Sequence, residues 1–235
     1  MKRTLAIAAA ALAFGSVQAQ ETTGEFKLGF ATQDIWRGAL VNNGLTFIPK
    51  VDVGFGTGTH LTARGSIVID GDGFDEWRFG LHHSLDLVAA TISFGVMMFE
   101  REGGGDTTEI WASAKMKWLT PFTFTVVRDI DLVEGTYFRV GTGSGIGAAV
   151  PILGANADVS WDIWLGYADG DFAAYYGSAD AGFADAGGKI AATFALQEMS
   201  LKVWAKVTTL VDPDFTTFTG DRTNFAIGAS AGWRF

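Results

Sequence analysis

Apolar and polar side chains alternate with a period of two from Phe26 onward, and few folds tolerate that pattern at such length. Phe26, Leu28 and Phe30 oppose Lys27, Gly29 and Ala31, and Val51, Val53 and Phe55 oppose Asp52 and Gly54. Trp77, Phe79 and Leu81 oppose Glu76, Arg78, Gly80 and His82, and Leu201, Val203, Ala205 and Val207 oppose Lys202, Trp204, Lys206 and Thr208. Strict alternation marks strands with one apolar and one polar face. No stretch past the N-terminus nears the ~18 apolar residues of a membrane helix, so the positive mean hydropathy comes from strand faces. Charged residues are 18% of the 235, with a formal net charge of −9. The chain is thus too apolar for disorder and too acidic for a nucleic-acid binder. The absence of cysteine excludes disulfides, thiolate nucleophiles and Cys-ligated metals.

Twelve alternating segments can be counted, near 25–36, 44–55, 60–70, 76–87, 91–100, 108–118, 122–129, 136–148, 156–168, 188–196, 200–209 and 223–235. An even number closes an antiparallel barrel with both ends on one side. The connections alternate too. Gly56–Thr59, Leu87–Ala90, Leu119–Pro121, Pro151–Gly154 and Gln197–Met199 are short, with Glu198 their one charge. Those near 37–43, 70–76, 100–109, 129–134, 169–185 and 212–221 are longer and polar. This predicts an all-β transmembrane antiparallel barrel of about 12 strands, with short periplasmic turns and longer extracellular loops. A soluble sandwich also alternates, but its inner face needs large side chains. Here the polar face is rich in small residues, as at Gly141, Gly143, Gly145 and Gly147.

The N-terminus carries an export signal: Lys2 and Arg3, an apolar run from Leu5 to Phe14, and Val17-Gln18-Ala19 as a cleavage site. Residues 1–19 are read as a secretory signal peptide and 20–235 as the barrel domain. The mature chain keeps 15 basic and 26 acidic residues, a net of −11. Phe225, Ile227, Ala229, Ala231, Trp233 and Phe235 alternate to a terminal aromatic. That strand resembles the C-terminal assembly signal of outer-membrane barrels, with Trp233 and Phe235 as its aromatics. Its partners would be the barrel-assembly machinery, outer-membrane lipid and lipopolysaccharide, after Sec-type export into a Gram-negative outer membrane. Trp118, Phe122, Trp233 and Phe235 are expected in the periplasmic aromatic belt, and Trp36, Trp77 and Tyr167 at the other interface.

Asp34-Ile35-Trp36-Arg37-Gly38 is similar to the end of the first strand in the TorF-like family of proteobacterial outer-membrane β-barrels. The stretch from Glu109-Ile110-Trp111 through Leu119-Thr120-Pro121 to Asp129, Asp131 and Gly135-Thr136-Tyr137 resembles it as well. The usual polar residues after Arg-Gly are replaced by Ala39-Leu40. The resemblance covers a minor part of the chain and implies a barrel of this size without fixing an activity. Oligogalacturonate porins and barrels that scaffold murein hydrolases are of similar size.

The loop windows starting at 70, 100, 129, 169 and 212 hold 18 of the 26 acidic residues and one basic residue, Arg101. The strands carry most of the cations. Alternation turns Lys27, Lys50, Arg64, Arg78, Lys115, Lys117, Arg139, Lys189, Lys202, Lys206 and Arg234 into the lumen, with Asp52, Asp86, Asp158 and Asp162. A cation facing lipid at mid-depth costs about 2–4 kcal/mol. Two readings stay open. In a wet lumen these charges form a narrow, passive, anion-favouring channel for small solutes. In a filled lumen they pair, and the barrel is a non-conducting structural or assembly element that docks periplasmic partners. The acidic loops are expected to be solvated, with divalent bridging to lipopolysaccharide as the alternative.

His82 and Ser84 share a strand face and suggest a lipid hydrolase, a base beside a hydroxyl. The Asn-Gly that follows the serine in outer-membrane phospholipases is replaced by Leu85-Asp86. The expectation is therefore a non-enzyme without cofactor or metal. His60, His82 and His83 lack zinc-ligand spacing, and His83 falls on the outer face. Gly141 to Gly147 lacks the Lys-Ser/Thr ending of a phosphate loop and is read as smooth inner wall.

Overall fold

A computed structural model describes residues 22–235 except 57, 104, 119, 146–149, 153–154, 176, 179 and 216–220. The expected signal segment 1–19, Gly147 and the Leu119 turn position lie outside the described residues. The strands are β1 (Thr22–Trp36), β2 (Ala39–Phe55), β3 (Thr59–Asp72), β4 (Glu76–Asp86), β5 (Ala90–Arg101), β6 (Thr107–Met116) and β7 (Phe122–Asp129). They continue as β8 (Thr136–Gly145), β9 (Val150–Ile152), β10 (Ala155–Ala168), β11 (Gly182–Leu196), β12 (Met199–Leu210) and β13 (Thr223–Arg234). One short helix, α1 (Gly170–Tyr175), sits between β10 and β11.

Twelve strands close into one antiparallel barrel, each pairing with its sequence neighbour. β13 closes on β1, with Phe26 opposite Trp233 and Lys27 opposite Gly232. The thirteenth, β9, is a three-residue strand that, among the described residues, pairs only with the start of β10. The alternation explains this closure. A sheet with one apolar face and no partner sheet must turn that face to lipid, and closing the sheet removes its edges. Phe94, Ala112, Val126, Phe138, Tyr167 and Phe183 lie directly opposite one another on consecutive strands, forming an outward row. Phe30, Ile110, Phe124, Ile163, Ile190 and Phe225 are exposed on the same outer face. Trp118, Trp233 and Phe235 are exposed near the periplasmic rim.

Three expectations need correction. The first outer connection is a two-residue turn, Arg37-Gly38, rather than a loop over 37–43. Both residues have positive φ, 47° and 82°, the hand that continues the twist of two paired strands. Trp36 does not face the outer interface: it turns inward, against Phe99 and Phe172. Lys117 lies beyond the end of β6 at the periplasmic rim, paired with Asp86 at 2.5 Å, rather than in the lumen.

The apolar core sits at the extracellular end of the barrel. Ala39, Val127, Tyr137, Ala168, Phe172, Ala173, Ala184, Leu210 and Phe215 form one buried cluster, with Trp36, Trp111 and Val133 packed against it. Phe172 belongs to α1 and Phe215 to the β12–β13 connection, so two outer segments fold back into the extracellular mouth. Burial of each phenylalanine is worth about 1.5–3 kcal/mol.

Candidate functional site

Register places the luminal cations in rows. Lys27 lies opposite Lys50, Lys50 opposite Arg64, and Arg64 opposite Arg78, one cation on each of β1 to β4. Adjacent strands are about 4.8 Å apart, and like charges directly opposite one another repel. Flanking acids offset the repulsion. Lys27 bonds Glu25 at 2.5 Å and Lys50 lies 3.6 Å from Asp52. Arg64 Nη2 donates to both oxygens of Asp34, at 3.1 and 3.2 Å, and Arg78 bonds Glu76. A second row sets Asp162 opposite Lys189 and Lys189 opposite Lys206.

The first row changes character along its length. Lys27 and Lys50 are about a third exposed, at 33% and 36% of their side chains, whereas Arg64 and Arg78 are mostly covered. Asp34 accepts from Ser66 Oγ at 2.7 Å, and Ser66 accepts from Asn42 at 3.1 Å. Arg64 Nη1 and Arg78 Nη2 are buried and make no hydrogen bond to any described residue. Lys202 sits on the inner face opposite Thr193 and Ser230, and Arg234 lies exposed at the periplasmic rim.

Below the mouth is a cavity of about 420 Å³ bordered by Arg37, Tyr137, Arg139, Trp164, Asp185 and Lys206. Arg139 bonds Asp162 at 2.9 Å, both partners partly exposed to the lumen. Lys206 donates to the Ile35 carbonyl at 2.9 Å, and its ammonium lies 5.5 Å from the Trp164 ring. Lys189 stands 4.7 Å over Trp204. Trp164 and Trp204 each lie across a glycine of the next strand, Gly187 and Gly228.

The solvated-loop expectation fails for four acids. Glu76, Glu109, Asp129 and Asp185 are buried on the inner face. Glu109 receives two bonds from Arg37, at 2.7 and 2.8 Å. Arg101 donates to Glu76 at 2.7 Å. Asp129 accepts Thr107 Oγ1 at 2.7 Å and the backbone N–H groups of Asp131, Leu132 and Val133. Asp185 holds Tyr137 at 2.7 Å and Trp164 Nε1 at 2.8 Å. The signal for Glu76 was in the alternation, which puts it on the face of Arg78. Asp185 had none, because the inward strand start at Gly182 reads as loop.

Asp169 caps α1, accepting from Phe172 N–H at 2.9 Å and Thr136 N–H at 2.8 Å. Burial works against its charge, but those two N–H groups and Arg128 outweigh it and hold the carboxyl below its usual range. Burial pushes the Tyr175 phenol up.

His82 and Ser84 both face the lumen but find other partners. His82 stacks on His60, and Ser84 Oγ bonds Ser93 Oγ at 2.8 Å. The base–nucleophile contact is not made. His83 faces outward, bonded through Nδ1 to Thr59 Oγ1 at 3.0 Å and packed on Phe94. Gly141 and Gly143 lie in the inner wall of β8, opposite Trp164 and Asp162.

No known family profile and no curated protein matches the chain. Solved structures match it in shape. A NanC porin superposes with a TM-score of 0.58 at 10% identity, covering 89% of this chain and 98% of its own. A KdgM porin gives 0.57 at 8% identity, covering 90% and 99%. KdgM porin in complex with disordered oligogalacturonate gives 0.57 at 7%, covering 91% and 99%. Likeness at such identity shows the fold, which is that of an outer-membrane β-barrel.

Proposed function

We propose that this protein is an outer-membrane channel that passes small solutes through a narrow lumen and favours anions. The observation that carries the reading is the cation row Lys27, Lys50, Arg64 and Arg78 on the inner wall. Lys189, Lys202, Lys206 and Arg234 extend that charge on β11 to β13, with Glu25, Asp34, Asp52, Glu76 and Asp162 as local counter-charges. The shape shared with porins supports the reading, and so does the polyanionic saccharide in the complex of one neighbour. In this proposal the chain belongs with the TorF-like barrels, reaches the membrane after signal cleavage, and is assembled through the strand ending in Trp233 and Phe235.

One observation favours the non-conducting alternative. Phe172 and Phe215 fill the extracellular mouth against Trp36 and Tyr137. Planar-bilayer recordings of the folded protein and of a Phe172→Ala, Phe215→Ala double variant decide between the two. The channel reading expects conductance that rises when the mouth is loosened, with a reversal potential on the anion side. Silence from both folded barrels removes it and leaves the structural barrel.

A further inference from the structure

Another row climbs the inner wall from the periplasmic end of β2 toward the cluster at the mouth. Gly54, His60, His82, Gly95 and Trp111 lie directly opposite one another on β2 to β6. The rings of His60 and His82 stand side by side, 4.8 Å apart and 6° from parallel. The glycines make room for them. A Cβ at Gly54 would lie 3.0 Å from His60 Cε1, and one at Gly95 would lie 2.7 Å from His82 Cβ. Trp111 walls the far side, its ring 5.8 Å from that of His82.

His60 is oriented by a carboxylate. Its Nδ1 lies 3.0 Å from Asp52 Oδ1, and an ionised carboxylate can only accept. Nδ1 therefore carries a proton, and in the neutral imidazole the lone pair is on Nε2. Thr62 fixes the other Asp52 oxygen at 2.7 Å, and Lys50 neutralises it from 3.6 Å. Nothing in the stacking of two imidazoles alone calls for this support. A metal ligand does, because histidines that bind metals donate their second nitrogen to a carboxylate that sets tautomer and ring direction.

We propose that His60 and His82 form a luminal site for a divalent transition-metal cation of the zinc, copper or nickel class, with Asp52 orienting His60. Two imidazole nitrogens around a tetrahedral zinc stand about 3.4 Å apart, each about 2.0–2.1 Å from the metal. The rings of the pair are 6° from parallel with centroids 4.8 Å apart, so binding one cation requires both rings to turn out of the stack until their free nitrogens converge. Among the described residues no group of three or more His, Asp or Glu side chains is placed to hold a metal. Water fills the remaining positions, so the site exchanges its metal rather than serving as a structural centre. Imidazole donors also select against calcium and magnesium, which prefer oxygen. The proposal needs only an accessible lumen and stands whether or not the barrel conducts.

The test is zinc titrated calorimetrically into the purified, folded barrel in detergent. One zinc per barrel is expected. His60→Ala and His82→Ala should each weaken binding at least ~10-fold, and Asp52→Asn by about 10–100-fold, the usual effect of losing such an orienting partner. His83→Ala, changed on the lipid side, should bind like the parent. Heat-modifiable electrophoretic mobility reports that every variant is folded. Absence of binding to the parent, parent-like affinity in both His60→Ala and His82→Ala, or an equal loss in His83→Ala overturns the site.

Discussion

Arg37 and Glu109 are joined by two parallel hydrogen bonds, 2.7 and 2.8 Å, across 72 residues of sequence. The arginine comes from the two-residue outer turn and the glutamate from the inner face of β6. The guanidinium also lies 4.1 Å from the Trp36 ring, 4.8 Å from Tyr137 and 5.2 Å from Phe172. One side chain thus ties the wall of the barrel to the segment that fills its mouth. Arg37→Ala leaves Glu109 buried without its partner, which costs about 3–5 kcal/mol for such pairs. The expected result is a lower urea midpoint for the folded barrel. Glu109→Gln, which removes the charge and keeps the shape, should lose less. A parent-like midpoint for Arg37→Ala would refute the clamp.

The cap on α1 makes the mouth sensitive to acid. Asp169 has its pKa lowered from 3.8 in the folded protein. Its contribution is therefore complete above that ordinary value and disappears as pH falls through the lower folded one. Removing a cap costs about 1 kcal/mol. In Asp169→Ala the amides of Phe172 and Ala173 should exchange faster than in the parent at pH 7. Protection in the parent should fall toward that of the variant in strong acid. Equal protection at neutral pH would show that the cap does not hold the helix.

Lys50 and Lys206 should respond differently to charge reversal. Lys50 is partly exposed beside Asp52, so Lys50→Glu should fold and move the reversal potential toward cations. Lys206 supports the Ile35 carbonyl beneath the mouth. Lys206→Glu places an acceptor against an acceptor near Asp185 and should lower the yield of heat-resistant barrel. Equal folding yields for the two variants would count against this division of the lumen.

The two luminal tryptophans need their glycines. A Cβ at Gly187 would lie 2.3 Å from Trp164, and one at Gly228 would lie 2.3 Å from Trp204. Gly187→Ala and Gly228→Ala should each cost about 1–3 kcal/mol, the usual penalty of overpacking. Near-ultraviolet circular dichroism should change as the indoles shift. Gly145→Ala, where the nearest atom is 3.8 Å away, serves as the neutral comparison.

Alternation made the barrel legible, because side chains on a strand can face only two ways. It placed Lys27, Lys50, Arg64 and Arg78 on one face but could not say that they stand in one row. Row membership depends on register, and the Arg37-Gly38 turn starts β2 at Ala39 rather than near residue 44. The contents of the mouth were hidden for another reason. Phe172 and Phe215 lie in segments without period, and their burial follows from long-range packing against Tyr137 and Leu210. The histidine pair was hidden similarly: His60 and His82 are 22 residues apart and meet only across the β3–β4 register.

The uneven exposure of charge along the barrel has an electrical consequence. Asp70, Asp72, Glu102, Asp106, Asp131, Glu134, Asp171, Asp180, Asp214 and Asp221 are exposed around the outer rim. The partly exposed cations Lys27, Lys50 and Lys202 belong to the opposite half. Fixed charge that changes sign along a narrow axis makes a rectifier. With the outer side held positive, cations enter through the acidic rim and anions through the basic half, and both accumulate inside. With the polarity reversed, each carrier meets its own sign first and the lumen is depleted. Current should therefore be larger in the first direction at low salt, and the asymmetry should vanish near 1 M, where screening shortens to about 3 Å.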